Sequence, residues 1–454
     1  MSKKIRKILL TVAAVALAAI AILWGLERYF LHGLSDTAAK TTAIPSPTGV
    51  GSPIARGPDD WPSWRGARHD NASLTTGIRT DWRGGLKKTW EIAYLCQGSD
   101  SASWGAPAIQ GRHLVVTGRE KDRDLVFCLD AKTGALRWVS GYAATNPDNY
   151  GTGPRSTPAI DGDRVYTLGR GGQLCAWNLS DGALVWRRDL KADGADSPEW
   201  GHASSPLIAG EYLYMQAGGD ATALALRKSS GELLWKRPGG PASYASPVLA
   251  HLAGKETLLI LHADALAAFE PAAGQRLWDI PWKTANAGNI TTPIVEGDLI
   301  VVSAAASRGA LAIQAGPAGA AVKWKTMALQ AHHSDPHILG GYLYGYTGFS
   351  KQNGGDFVCL ELATGRTAWK TNAIGCGTSV RVDGHLLCQD HKGNLFLVRP
   401  DPAGLRLVTS FPGAMAGAKE MTWTKPVVSD GLVYLRYRQR LLCYELRAPQ
   451  SRSL

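Results

Sequence analysis

Cys128-Leu129-Asp130-Ala131-Lys132-Thr133-Gly134-Ala135-Leu136-Arg137-Trp138 decides the reading of the whole chain, because weaker copies of it recur downstream. In each copy an apolar strand runs into a turn whose Asp or Ser can hydrogen-bond the backbone. Gly supplies the positive φ that such a turn needs, and a Trp in the next strand supplies a large face to bury. The copies are Ser180-Asp181-Gly182-Ala183-Leu184-Val185-Trp186, Ser229-Ser230-Gly231-Glu232-Leu233-Leu234-Trp235, Ala273-Gly274-Gln275-Arg276-Leu277-Trp278 and Cys359-Leu360-Glu361-Leu362-Ala363-Thr364-Gly365-Arg366-Thr367-Ala368-Trp369. A looser copy ends at Trp324, and a degraded one from Asp401 puts Val408 where Trp is expected. A period of about 40 to 50 residues with four strands per unit predicts a β-propeller, and paired-helix solenoids fit badly.

A second repeated signal counts the blades. A small residue, then Pro, then an apolar pair opens a unit at Pro107, Pro158, Pro206, Pro247, Pro293, Pro336 and Pro426, and Val380 replaces Pro in one more. The last unit ends at Leu446 without a Trp strand, whereas an orphan strand with a Trp, Gly85 to Ile92, stands before the first. The expectation is an all-β, eight-bladed propeller of four-stranded blades, closed by this N-terminal strand so that no sheet edge stays open.

Working outward, residues 1–34 differ in kind. Lys3, Lys4, Arg6 and Lys7 precede an uncharged run from Ile8 to Leu26, which spans roughly 28 Å at about 1.5 Å per residue, close to a hydrocarbon core. This predicts one N-terminal transmembrane helix or a signal peptide, with the anchor favoured. The basic flank puts the N-terminus in the cytoplasm and the body outside it. Residues 35–58, rich in Ala, Thr, Ser, Pro and Gly, read as a flexible linker, and residues 59–454 as the propeller. The expected place is the inner membrane, single-pass, with the propeller in the periplasm. The formal net charge of +11 is mild once the basic N-terminus is set aside. No basic run accompanies stacking aromatics, which argues against nucleic acid and leaves a monomer beside anionic lipid. Seven cysteines cannot all pair, and none is adjacent to another. Cys128, Cys359 and Cys443 take matching third-strand places and read as small core residues.

The segment Asp60-Trp61-Pro62-Ser63-Trp64-Arg65-Gly66, followed by Asp70-Asn71-Ala72-Ser73 and Asp81-Trp82, resembles the opening of bacterial propellers with pyrroloquinoline-quinone-like (PQQ-like) repeats. So do the repeats themselves. That family includes quinone-dependent alcohol dehydrogenases and the outer-membrane assembly lipoprotein, so the resemblance implies the fold more firmly than the activity. The chain departs from both specialised members. It has no vicinal Cys pair, no acid-and-Asn set to hold calcium that can be carried over, and no Cys before Cys96 to be lipidated.

In a propeller the residues just before each inner strand rim the central channel. Three positions before each opening residue stand Trp104, Arg155, Ala203, Tyr244, Ile290, His333, Gly377 and Trp423; one earlier stand Ser103, Pro154, His202, Ser243, Asn289, His332, Cys376 and Thr422. From these, Trp104, Arg155, His202, Tyr244, Asn289, His333 and Trp423 are the candidate ligand or cofactor contacts, suited to a small planar anion by stacking and ion pairing. His332-His333-Ser334-Asp335-Pro336-His337 is the densest metal-like cluster, but extended backbone turns its neighbours to opposite faces and no metal is expected. No nucleophile elbow, phosphate loop or zincin motif occurs, and no catalytic residue is assigned. The favoured reading is a non-catalytic, membrane-tethered binding or assembly scaffold for envelope proteins. The runner-up is a quinone-dependent alcohol dehydrogenase using PQQ with calcium.

Overall fold

The structure is a computed structural model that describes residues 57–98, 101–145, 150–305, 308–348, 355–418 and 422–448. The span expected over residues 8–26 lies outside them, as does nearly all of the expected linker. Among the described residues no helix is long and apolar enough to cross a membrane. Eight antiparallel sheets follow one another as blades at 108–143, 159–189, 207–237, 248–281, 294–326, 337–371, 377–411 and 427–445. The described residues therefore form an eight-bladed all-β propeller of four-stranded blades, with only short 3-10 turns such as Leu190–Asp193 between their strands. Blade 1 carries a further short strand, Cys96–Gln97, parallel to His113–Glu120. The chain itself supplies only three strands of blade 8 from its C-terminal end. The fourth is Lys88–Ile92, antiparallel to Arg440–Glu445 with Trp90 opposite Cys443.

The repeat turn acts between blades as well as within one. Asp130 Oδ1 accepts from the N–H groups of Lys132 and Thr133, both at 3.0 Å, and Gly134 sits at φ 71°. A Cβ on Gly134 would lie 2.8 Å from the indole of Trp90 in the neighbouring blade, and one on Gly182 would lie 2.5 Å from Trp138. Six of the repeat Trp residues donate the indole N–H to a carbonyl in the next turn: Trp90 to Ala131 at 3.0 Å, Trp138 to Leu179 at 2.9 Å, Trp186 to Lys228 at 2.9 Å and Trp235 to Pro271 at 3.0 Å. Trp324 and Trp369 repeat the contact with Leu362 and Asp401. The Gly is therefore doubly required, by its own φ and by the ring stacked on it.

A β-bulge just before each Trp aims it across the gap. In all eight blades the outer pair shifts register by one residue, as between Cys128 and Leu129 opposite Trp138 and Leu136. The bulged residue turns outward, which explains the exposure of Val185, Leu277 and Val408. This corrects the expected place of Val408. It is the bulged residue of blade 7, and Thr409, opposite Leu397, occupies the Trp position. The missing ring is made good from the N-terminal segment. Trp82 donates its backbone N–H to Thr409 Oγ1 at 3.2 Å and packs in one core with Leu397 and Tyr444.

Near the axis a belt of hydrogen bonds joins blade to blade. The residue before an opening Pro offers its backbone N–H to the side chain at the same place in the next blade. Ala106 donates to Thr157 Oγ1, Thr157 to Ser205 Oγ, Ser205 to Ser246 Oγ, Ser246 to Thr292 Oγ1 and Thr292 to Asp335 Oδ1. Inner-strand N–H groups that Pro and the narrow axis would strand are satisfied this way.

At the end of the channel toward which the first strands run, the segment from Asp59 to Arg79 forms a plug. Trp61 bridges Ile109 in blade 1, and Pro62 O accepts from Ile160 in blade 2. Arg65 donates to Pro293 O at 2.8 Å, Asn71 Nδ2 to Ser379 O at 3.0 Å, and Arg447 pairs with Asp59 at 2.7 Å. The motif that carried the family resemblance is thus the stopper of the channel.

Candidate functional site

Above the plug lies a cup of about 630 Å³, floored by Trp64, Asp335 and Lys425. All eight residues three positions before the opening residues line it: Trp104, Arg155, Ala203, Tyr244, Ile290, His333, Gly377 and Trp423. The alternation of extended backbone accounts for this, since one register position faces the axis in every blade. Two expected contacts do not reach the cup. His202 is 1% exposed and Asn289 fully buried, and both face the gaps between blades. The Asn289 side-chain Nδ2 donates to His262 O at 2.7 Å, and its main-chain carbonyl accepts from the backbone N–H groups of Tyr244 and Ala245, so it fixes a loop and does not reach the cup. Of the other residues at that earlier position, His332, Cys376 and Thr422 do reach the lining.

An aromatic crown surrounds the mouth. Trp423 stacks on His333 with centroids 4.6 Å apart and leans on Trp104 at 4.8 Å. Trp200 stacks on Tyr244 at 5.4 Å, and Tyr150 touches both Trp200 and Trp423. Tyr150 and Trp200 escaped the sequence reading because they sit in loops outside the repeat. Their signal was only aromatic character beside Gly151 and Gly201.

The floor is a buried charge cluster. Lys425 Nζ lies 3.1 Å from Asp335 Oδ2, 3.2 Å from Asn71 Oδ1 and 3.5 Å from the centroid of Trp64. Arg65 Nε stands 3.7 Å from the same carboxylate oxygen. Trp64 is pinned by its indole N–H to Thr292 Oγ1 at 2.9 Å. Burial by itself would raise the Asp335 carboxyl, but Lys425 and Arg65 outweigh it and hold the group below the usual carboxylate range. Burial, aided by Arg65 and opposed by Asp335, brings the Lys425 ammonium down to about 8. Burial also pushes His332 down to about 4 and, with His332 and Arg155 nearby, holds His333 well below the ordinary imidazole value. Both imidazoles are therefore neutral near pH 7. Asp335 and Lys425 each stand immediately before an opening Pro, a place the sequence reading passed over.

This donor set does not fit a calcium-held quinone. Asp335 is the single carboxylate among the described lining residues. One of its oxygens accepts from Thr292 and the other faces Lys425 and Arg65, whereas calcium takes six to eight oxygens. Cys376 is the one thiol on the cup, and all seven cysteines are free. Burial raises Cys376 to about 11, so it stays a thiol.

Solved structures with the same fold include BamB from Moraxella catarrhalis, 16% identical with a TM-score of 0.56 over 81% of this chain and 99% of that one. The quinohemoprotein alcohol dehydrogenase ADHIIG from Pseudomonas putida HK5 is 12% identical with a TM-score of 0.62, covering 87% of this chain and 81% of that one. The quinohemoprotein alcohol dehydrogenase from Comamonas testosteroni gives 12%, 0.59, 88% and 82% for the same quantities. At these identities the likeness is one of fold. No curated protein sequence matches the chain at a significant level. A family described as outer membrane protein assembly factor BamB does match, over residues 143–371. Those residues are half of the chain and take in blades 2 to 6, and with its PQQ-like repeats this protein belongs to that family.

Proposed function

We propose that this protein is a non-catalytic, membrane-tethered binding or assembly scaffold of the bacterial envelope. Residues 8–26 anchor it in the inner membrane, residues 35–58 tether it, and the propeller stands in the periplasm with its ring held shut by Lys88–Ile92. Its partners are envelope assembly proteins that dock on the loop faces of the disc, and the cup takes a small ligand. The observation that carries this reading is the state of Asp335. The one acid of the described cup is fully engaged by two cations and a backbone N–H, which leaves neither a general base nor a cation ligand. Membership of a family described by an assembly factor supports the same choice.

The runner-up, a quinone-dependent dehydrogenase, draws support from the PQQ-like repeats and from the aromatic and basic rim of the cup. The test is to crosslink the full-length protein in cells, purify it, and identify the envelope proteins that come with it. In parallel the pure protein is mixed with PQQ and calcium and assayed for dye reduction with simple alcohols. Copurifying assembly proteins without turnover are expected. Turnover that is lost in Trp423→Ala would overturn the scaffold.

A further inference from the structure

On the binding reading proposed above, we infer that the ligand of the cup is a short, uncharged oligosaccharide. Three features of the lining point to it. The first is the disposition of the rings. Trp423, Trp104 and Tyr244 present indole and phenol surfaces around the cup, with Trp200 and Tyr150 extending them at the mouth. The electron-rich face of an aromatic ring attracts weakly positive C–H groups, and a pyranose ring offers such a face while keeping its hydroxyls at the edge.

The second is the character of the polar groups. Ser334 and Thr378 are 2% and 1% exposed, line the cup, and their hydroxyls make no hydrogen bond within the described protein. The lining His391 Nε2 is likewise buried without one. A hydroxyl can both donate and accept, which matches sugar hydroxyls that do the same. Buried polar groups left without partners are costly, so a ligand that satisfies them gains both affinity and selectivity.

The third is charge. A planar anion, the ligand expected from the sequence, needs committed positive charge. Lys425 and Arg65 are turned to Asp335, which neutralises part of them, and Arg155, the other guanidinium or ammonium of the described lining, donates to the main-chain Gly151 O. His332 and His333 are held neutral by burial. A polyhydroxyl chain makes no demand on charge. The volume of about 630 Å³ sits within the ordinary range for small-ligand sites and has room for more than one sugar ring.

The experiment uses the full chain in a detergent without a sugar headgroup. Maltotriose, cellotriose and N-acetylated chitotriose are titrated against tryptophan emission, and naphthalene-2,6-dicarboxylate serves as the planar anion. At least one trisaccharide is expected to shift the emission saturably. Trp423→Ala should weaken it about tenfold or more, since one stacked ring is lost. Trp423→Phe, which keeps a ring and the fold, should restore most of the affinity, and Thr378→Val should lower it about threefold. The proposal is overturned if no trisaccharide saturates, if only the dicarboxylate does, or if Trp423→Ala binds as the wild type. Envelope proteins that still copurify in that case would leave the scaffold standing and remove only the sugar.

Discussion

The two ends of the central channel are built on opposite principles. At the plug end the charged groups are turned on one another: Asp335 meets Lys425, Arg65 and the Thr292 N–H, and Asn71 meets Lys425 and Ser379 O. At the mouth the rings of Trp423, Trp200 and Tyr150 are partly open, and on the cup wall the buried Ser334 Oγ has no partner in the described protein. A buried, mutually paired charge cluster resists exchange with a ligand, whereas a partly open aromatic one invites it. Stability should therefore respond at the plug end and binding at the mouth.

The widest difference should come from truncation. Removing residues 1–56 should leave a cooperative melt, while removing 1–92 takes away both the plug and the strand opposite Arg440–Glu445. The longer truncation should lose its cooperative transition and bind a hydrophobic dye. A similar melt for both would show that neither plug nor strand holds the ring.

Next come single side chains of the sealed end and of the clasps. Lys425→Ala leaves a buried carboxylate with a more distant partner and should cost about 3 to 5 kcal/mol in a denaturant titration. Trp138→Ala should cost a similar 3 to 5 kcal/mol or so by opening a cavity between blades. Gly182→Ala, with φ 72° and a ring in the way, should cost about 1 to 3 kcal/mol.

Acid should act through the buried imidazoles. His202 and His332 are pushed down to about 4, and His333 is held well below the ordinary imidazole value, all chiefly by burial. The unfolded chain then binds more protons than the folded one below the ordinary imidazole value of about 6.5, so stability rises with pH there. Denaturant midpoints should be level above about pH 7 and fall steadily from about 6.5 toward 4, and His332→Asn should flatten part of that slope.

The smallest effect belongs to the open end. Tyr150, 36% exposed, should change stability by less than about 0.5 kcal/mol when replaced by Ala, while altering whatever the cup binds. A loss at Tyr150 comparable to that at Lys425 would erase the contrast between the two ends.

The sequence alone determined the period, the strand-turn-strand unit, the eight openings and the ring of residues three places before them. These follow from local rules: a turn needs its Gly, a strand alternates, and a repeated unit repeats its facing. It could not separate Arg155 from His202 as cup contacts, because which side of a strand faces the axis is fixed by the neighbouring blade. Tertiary structure also decided the bulge that turns Val408 out and brings Trp82 in, the capture of Trp64 and Arg65 as a stopper, and the neutralisation of Asp335. Each of these joins residues far apart in the chain, Asn71 to Lys425 and Arg65 to Asp335 among them. Their pairing depends on the shape of the closed disc, which no local pattern encodes.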